Sequence, residues 1–140
     1  MNIENLSKVN QDDTNQINQL LNQLTSNFKI LSLDELSKII ISESSMIIIA
    51  KSEETICGVV CLSILKTLTS NKCQIEDLVV DSNYRNKGIA SKLIDFCINY
   101  CLVNNIKYID LTSNPKRIAA NNLYKKKNFQ IRKTNIYRYT

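Results

Sequence analysis

Arg85-Asn86-Lys87-Gly88 separates an apolar run (Ile75, Leu78, Val79, Val80) from an amphipathic segment that opens near Ile89. A strand, a short basic loop with one glycine and a helix start together make an anion cradle. The first N–H groups of a helix have no intrahelical acceptor, and the helix dipole adds positive potential at that end. Gly88 lets the backbone come close to a ligand, while Arg85 and Lys87 add charge. This spacing predicts binding of a phosphate or pyrophosphate. The plain alternative is that Gly88 only makes a turn. The chain has only two glycines, however, and this one stands at the strand–helix junction, which favours the ligand role.

Elements on either side must position that loop. Asn2 to Leu6 reads as a short strand. Asp12-Asp13 offer N-caps to a helix whose apolar residues Ile17, Leu20, Leu21 and Leu24 follow helical spacing. Ser32-Leu33-Asp34-Glu35 has the form of a capping box opening a second helix. Strands at Ser45–Ala50 and Thr55–Leu65 flank a polar turn and predict a hairpin, followed by a strand over Cys73–Val80. Ile89, Leu93, Phe96, Cys97, Tyr100 and Cys101 then share a helical face that Asn104-Asn105 should end. A short strand at Tyr108–Leu111, a break at Asn114-Pro115, a helix over Ile118–Lys127 and a closing strand over Phe129–Tyr139 complete the chain. This order predicts one α/β (α+β layered) domain over residues 1–140, with a mixed sheet covered on both faces.

Composition narrows the functions open to such a domain. Hydrophobic residues make up 44% and charged residues 22%, which is ordinary for a globular protein. No apolar run approaches the roughly 18 residues needed to cross a membrane, and no signal peptide is apparent, so a cytoplasmic location is expected. Five cysteines and no histidine predict buried thiols in a reducing compartment, with no metal site. Residues 1–70 hold 5 Lys+Arg against 8 Asp+Glu, and residues 71–140 hold 13 against 5. A basic half suits nucleic acid or a multiply phosphorylated small ligand. The aromatic residues do not interleave with the basic ones as a stacking platform requires, so the small ligand is favoured over nucleic acid.

From Gln74 to Phe129 the chain resembles the GNAT-type N-acetyltransferase superfamily. The resemblance rests on the strand Ile75-Glu76-Asp77-Leu78-Val79-Val80-Asp81, the signature-like loop Arg85-Asn86-Lys87-Gly88-Ile89-Ala90, and the segment Leu111 to Phe129 with its asparagines and Tyr124. Asn105 and Asn128 stand where relatives often have glycine, and Ser82 where proline is frequent. Asparagine tolerates positive φ, so both turns should survive. The resemblance implies a GNAT fold: a central mixed, mostly antiparallel sheet of six to seven strands flanked by about four helices. It also implies acetyl-CoA as co-substrate and a primary amine, on a small molecule or a protein, as acceptor. Dimerisation is frequent in the family, and the sequence does not decide whether this chain is a homodimer.

Carried over residue by residue, the resemblance assigns the pantetheine arm to backbone groups of Leu78, Val79 and Val80, between the Gln74–Val80 and Tyr108–Thr112 strands. The pyrophosphate would lie on the backbone from Arg85 and Asn86 through Lys87, Gly88, Ile89 and Ala90 to Ser91. Asn121, and more weakly Asn114, would hydrogen-bond the pantetheine amide. One of Lys125, Lys126 and Lys127 could reach the CoA 3′-phosphate. Glu76 is the expected base, directly or through water. Asp77 would face the other side of the strand unless a bulge intervenes. Tyr124 is the expected general acid toward the departing thiolate. Nothing resembles a covalent nucleophile, because no histidine is present to activate a cysteine. Direct transfer in a ternary complex is therefore expected. A non-catalytic acyl-CoA-binding or regulatory module on the same fold and a basic nucleic-acid-binding protein remain as alternatives.

Overall fold

The computed structural model of the protein describes all residues from Met1 to Thr140. Its elements run β1 (Asn2–Asn5), α1 (Gln11–Leu24), α2 (Leu33–Ile41), β2 (Ser45–Ser52), β3 (Thr55–Lys66), β4 (Asn71–Val80), α3 (Ile89–Val103), β5 (Tyr108–Leu111) and α4 (Ile118–Lys126). The strands form one sheet in the order β1-β2-β3-β4-β5. Neighbours from β1 to β4 pair antiparallel, and β5 joins β4 in parallel.

The sheet divides two cores. On one face Ile17, Leu20 and Leu36 of α1 and α2 pack against Ile47, Ile49, Val59 and Val79. On the other, Ile89, Leu93, Ile94, Cys97 and Cys101 of α3, with Tyr124 of α4, cover Ile48, Val60, Leu62, Cys73 and Ile75. Ile75 and Val79 are an even number of residues apart, so strict alternation would put both on the same face. They lie on opposite faces because the β3–β4 register shifts between Val59↔Val79 and Cys61↔Glu76. Two residues of β4, Asp77 and Leu78, stand where β3 has one, Val60. Asp77 accommodates this bulge with φ 55°, a conformation aspartate tolerates better than most residues.

The helix ends follow local chemistry. The α1 cap lies upstream of the expected Asp12-Asp13. The Asn10 side chain accepts from the Asp13 N–H at 2.8 Å, and the Asn10 N–H donates to Asp13 Oδ2 at 3.2 Å. Asp13 is thus the third helical residue of a capping box, not the cap. Ser32 caps α2 as expected, accepting from the Glu35 N–H at 3.1 Å. Asn105 and Asn128 take positive φ, 56° and 69°, so the turns after α3 and α4 form without glycine.

The expected count of six to seven strands is corrected to five, and the expected closing strand over Phe129–Tyr139 does not form. The Phe129 N–H donates to the Tyr124 carbonyl at 3.0 Å; from Gln130 onward every residue is exposed and none enters a backbone ladder. β-Branched and aromatic side chains favour an extended chain, but pairing needs an edge within reach. All five cysteines are free thiols, four of them buried. No helix is long and apolar enough to cross a membrane.

α3 crosses the sheet closely at the other glycine. A Cβ at Gly58 would lie 3.2 Å from both Ile89 Cγ2 and Leu93 Cδ1. Gly58→Val should therefore overpack this contact and cost about 1–3 kcal/mol, read as a lowered urea midpoint with an unchanged slope.

Candidate active site

β4 and β5 pair over only four positions, from Lys72↔Tyr108 to Ile75↔Leu111. At the closed end, Lys72 Nζ lies 3.7 Å from Asp110 Oδ2. Beyond Ile75, β4 continues through the bulge to Val80 while β5 stops, so the two strands part. A cleft of about 180 Å³ opens there, lined by Ile75, Glu76, Asp77 and Leu78 of β4, Leu111 and Thr112 at the end of β5, Leu24 at the end of α1, and Arg117 and Tyr124 around α4. The structure thus places Glu76, Leu78 and Tyr124 around one cleft. Arg117 and Leu24 were not expected, because their presence depends on how α1 and α4 close over the sheet. The one sequence signal for Arg117 was its position immediately before α4.

Glu76 lies on the α1/α2 side of β4, partly buried, and accepts a hydrogen bond from Gln74 Nε2 at 2.7 Å. Gln74 thereby fixes the carboxylate within the cleft. Asp77 does not simply point the opposite way, since the bulge turns it and it also lines the opening. Tyr124 is 7% exposed. Its ring meets that of Phe129 edge-on at 6.2 Å, and its hydroxyl has no partner within the chain. Burial pushes the Tyr124 phenol above its ordinary value, partly offset by the Arg117 guanidinium. The group therefore keeps its proton at neutral pH, as a proton donor requires.

Backbone availability in the cleft follows from the β3–β4 ladder. The Asp81 N–H donates to the Cys57 carbonyl at 2.8 Å. Alternation along an antiparallel pair then commits Val79 to Val59 and turns the groups of Val80 toward the open side. Val79, expected to hold a ligand through its backbone, is thus spent on β3. The Val80 carbonyl accepts from Arg85 Nε at 3.1 Å, so Arg85 braces the strand end.

The loop after β4 is held from α1: Gln23 Oε1 accepts from the Ser82 N–H at 2.9 Å. Asn86 and Gly88 take φ 63° and 77°, and α3 starts at Ile89 with no side-chain cap. Its first intrahelical bond is Lys92 N–H to the Gly88 carbonyl at 3.1 Å. The N–H groups of Asn86, Lys87, Gly88, Ile89, Ala90 and Ser91 consequently have no acceptor within the chain. Nothing lies within 4 Å of the position a Gly88 Cβ would take, so a ligand can approach the loop directly. Ser113 Oγ, just past β5, is buried without a hydrogen-bond partner. A row of free N–H groups beside an open glycine fits a phosphorylated ligand, and the orphaned Ser113 hydroxyl adds a polar group just past β5.

Other expected contacts already have work in the structure. Asn121 Nδ2 donates to the carbonyls of Asn114 at 2.9 Å and Arg117 at 2.8 Å, leaving its Oδ1 for a ligand. Asn114 Oδ1 accepts from the Lys116 N–H at 2.9 Å. Lys127 Nζ lies 2.7 Å from Asp95 Oδ1 and ties α4 to α3, whereas Lys125 and Lys126 are exposed. No three of the Cys, Asp and Glu side chains converge as metal ligands.

The model of the acetyltransferase (GNAT) family matches residues 14–129. The chain belongs to this family. No curated protein sequence matches it. Among solved structures, a GNAT-like superposition is found with an aminoglycoside acetyltransferase from an uncultured soil metagenomic sample. It has a TM-score of 0.87 at 20% identity, spanning 99% of this chain and 94% of that one. The Trypanosoma brucei acetyltransferase gives 0.80 at 22% identity over 99% of each chain. A transcriptional regulator from Bacillus halodurans C-125 gives 0.83 at 20% identity, again over 99% of each. These likenesses establish the GNAT fold for this chain.

The raised Tyr124 phenol has a consequence for stability. With the folded value above the unfolded one of about 10, the folded state holds the proton more tightly, so stability falls as pH rises from about 10 through the folded value. Tyr124→Phe should show a shallower loss of melting temperature over that alkaline range than the parent chain, measured by thermal denaturation at stepped pH.

Proposed function

We propose that this GNAT protein transfers the acetyl group of acetyl-CoA to a primary amine by direct attack in a ternary complex. The observation that carries the reading is the opening between β4 and β5. It has Glu76 and Tyr124 on its walls and the unpaired N–H groups of Asn86–Ser91 beside it. Acetyl-CoA, when bound, supplies an activated thioester. The residues of the chain do the rest. The α3 N-terminus and its loop hold the pyrophosphate by backbone N–H groups and dipole. The open side of β4, at Leu78 and Val80, aligns the pantetheine arm. A backbone N–H fixed toward developing oxyanion charge lowers the barrier by about 3 kcal/mol.

Glu76, oriented by Gln74, takes the proton from the acceptor ammonium, directly or through water, because only the free amine has a lone pair. Tyr124, protonated at neutral pH, donates toward the departing thiolate. Glu76 and Asp77 on the cleft wall suit a cationic acceptor. The soil metagenomic neighbour has also been solved in complex with sisomicin, so polycationic amines belong in the acceptor panel. The second reading is a module that binds acyl-CoA without turnover, since the free N–H groups of Asn86–Ser91 support binding whether or not Glu76 and Tyr124 act.

The test follows CoA release with acetyl-CoA and a panel of amines, after thermal-shift binding. Acetyl-CoA should raise the melting temperature, and Gly88→Asp should abolish that shift by placing a carboxylate among the free N–H groups. Glu76→Gln should lower kcat/KM about 100-fold, and Tyr124→Phe should lower kcat, each within the range for general acid–base groups. No thermal shift at millimolar acetyl-CoA sinks the reading. Binding without turnover on any amine leaves the second reading in its place.

A further inference from the structure

Three charged side chains line the cleft, and none of them is in an ion pair. Glu76 and Asp77 stand on the β4 wall and Arg117 on the α4 side. The ion pairs of the chain are Lys29–Glu35, Lys38–Asp34, Lys72–Asp110 and Lys127–Asp95. Opposite charges therefore face one cavity from more than 4.0 Å apart. Glu76 accepts from the neutral Gln74 amide. The Arg117 backbone is fixed in the turn before α4, its N–H donating to the Asn114 carbonyl at 3.0 Å and its carbonyl accepting from Asn121 Nδ2 at 2.8 Å. The guanidinium itself donates to no group of the chain. Its charge acts on the Tyr124 phenol, so it lies beside the groups to which the transfer is assigned.

A guanidinium is a planar fork of donors that matches a carboxylate with two parallel hydrogen bonds. An acceptor that offers its ammonium to Glu76 and Asp77 would meet that fork with whatever it carries at its other end. We propose that the acceptor is a free amino acid, its ammonium held at Glu76 and Asp77 and its carboxylate by Arg117. The inference rests on reading the cleft as the transfer site and names the substrate class of that site. Charge separates this class from the other amines. A polyamine would set its further ammonium groups against Arg117, and like charges brought together oppose binding. A protein N-terminus has an amide where the free amino acid has its carboxylate, which leaves the guanidinium unmatched. Size agrees. The cleft of about 180 Å³ lies below the roughly 300–1,000 Å³ of pockets that take drug-sized ligands, and the acetyl-bearing arm fills part of it. Leu24 at the end of α1 adds an apolar wall, which suits an aliphatic side chain better than a polar one.

Calorimetry, on the chain alone and on the chain saturated with CoA, measures acceptor binding apart from turnover. The probes are the common amino acids and γ-aminobutyrate, each beside its amide and its decarboxylated amine, with spermidine as the polycation. At least one amino acid should bind roughly 10- to 100-fold more tightly than its amide, the range for hydrogen bonds to a charged group. Its acceptor KM should show the same ratio. Arg117→Gln should bring that ratio close to one while acetyl-CoA still raises the melting temperature. Arg117→Glu should invert the preference toward the decarboxylated amine and spermidine, a reversal that a poorly folded variant cannot give. Amino acid binding without transfer to any amine leaves the amino acid site standing and sinks the transfer reading. Transfer to amines with no preference for the carboxylate form overturns the amino acid site and leaves the transfer reading standing. The site is also overturned if no amino acid binds. So it is if Arg117→Gln removes the acetyl-CoA shift and slows every acceptor alike, which would assign the guanidinium to the donor.

Discussion

Between Glu76 and Val79, β4 carries one residue more than β3, and the sheet has to absorb it. The bulge at Asp77 does so by exchanging the faces of the strand. Before it, Cys73 and Ile75 point into the α3 core; after it, Val79 points into the α1/α2 core. The bulge lies just past the last β4–β5 pair, Ile75↔Leu111, and Asp77 lines the opening. The faces of Val79 and Val80 relative to β3 depend on that single insertion, and it brings Asp77 beside Glu76 at the cleft.

The α3 N-terminus complements it. α1 and α2 begin with side chains that satisfy their first N–H groups, Asn10 and Ser32. α3 begins with a glycine in the left-handed region and no such cap. Leaving these donors free costs little while water reaches them. The loop is nonetheless held by Gln23 of α1 on one side and by Arg85 bonded to the Val80 carbonyl on the other. The donors are thus presented in a fixed array beside the parted strands, and the transfer chemistry we propose uses both at once. Electrostatics at the cleft is divided in the same way. Glu76 and Asp77 lie on β4, while Arg117 and the protonated Tyr124 lie toward α4, so the carboxylates and the phenol stand on different walls.

Much of this was legible in the sequence. The Gly88 junction, the α3 start at Ile89, the β5 limits Tyr108–Leu111 and the positive-φ turns at Asn105 and Asn128 are set by neighbouring residues, and they appear where local spacing puts them. The α1 cap was misplaced because Asp12-Asp13 and Asn10 are all good cap formers, and only the reciprocal bond between Asn10 and Asp13 selects one. The strand count was too high because the side-chain pattern of Phe129–Tyr139 describes a strand able to pair, not one that has found an edge.

By itself, the sequence determined the elements from β1 to α4, the glycine loop before α3 and the family, since each rests on contacts within a few residues or on a contiguous motif. Tertiary structure alone decided that β4 bulges at Asp77, that Val79 is committed to β3 while Val80 faces the opening, that Asn121 spends its donors on the Asn114–Arg117 turn, and that Leu24, Thr112 and Arg117 complete the cleft. Apart from Thr112, which the expected Tyr108–Thr112 strand already placed at the cleft, these features depend on the register between strands and the closure of helices over them. Register is a property of two segments together, and a one-residue shift changes the face of every side chain beyond it.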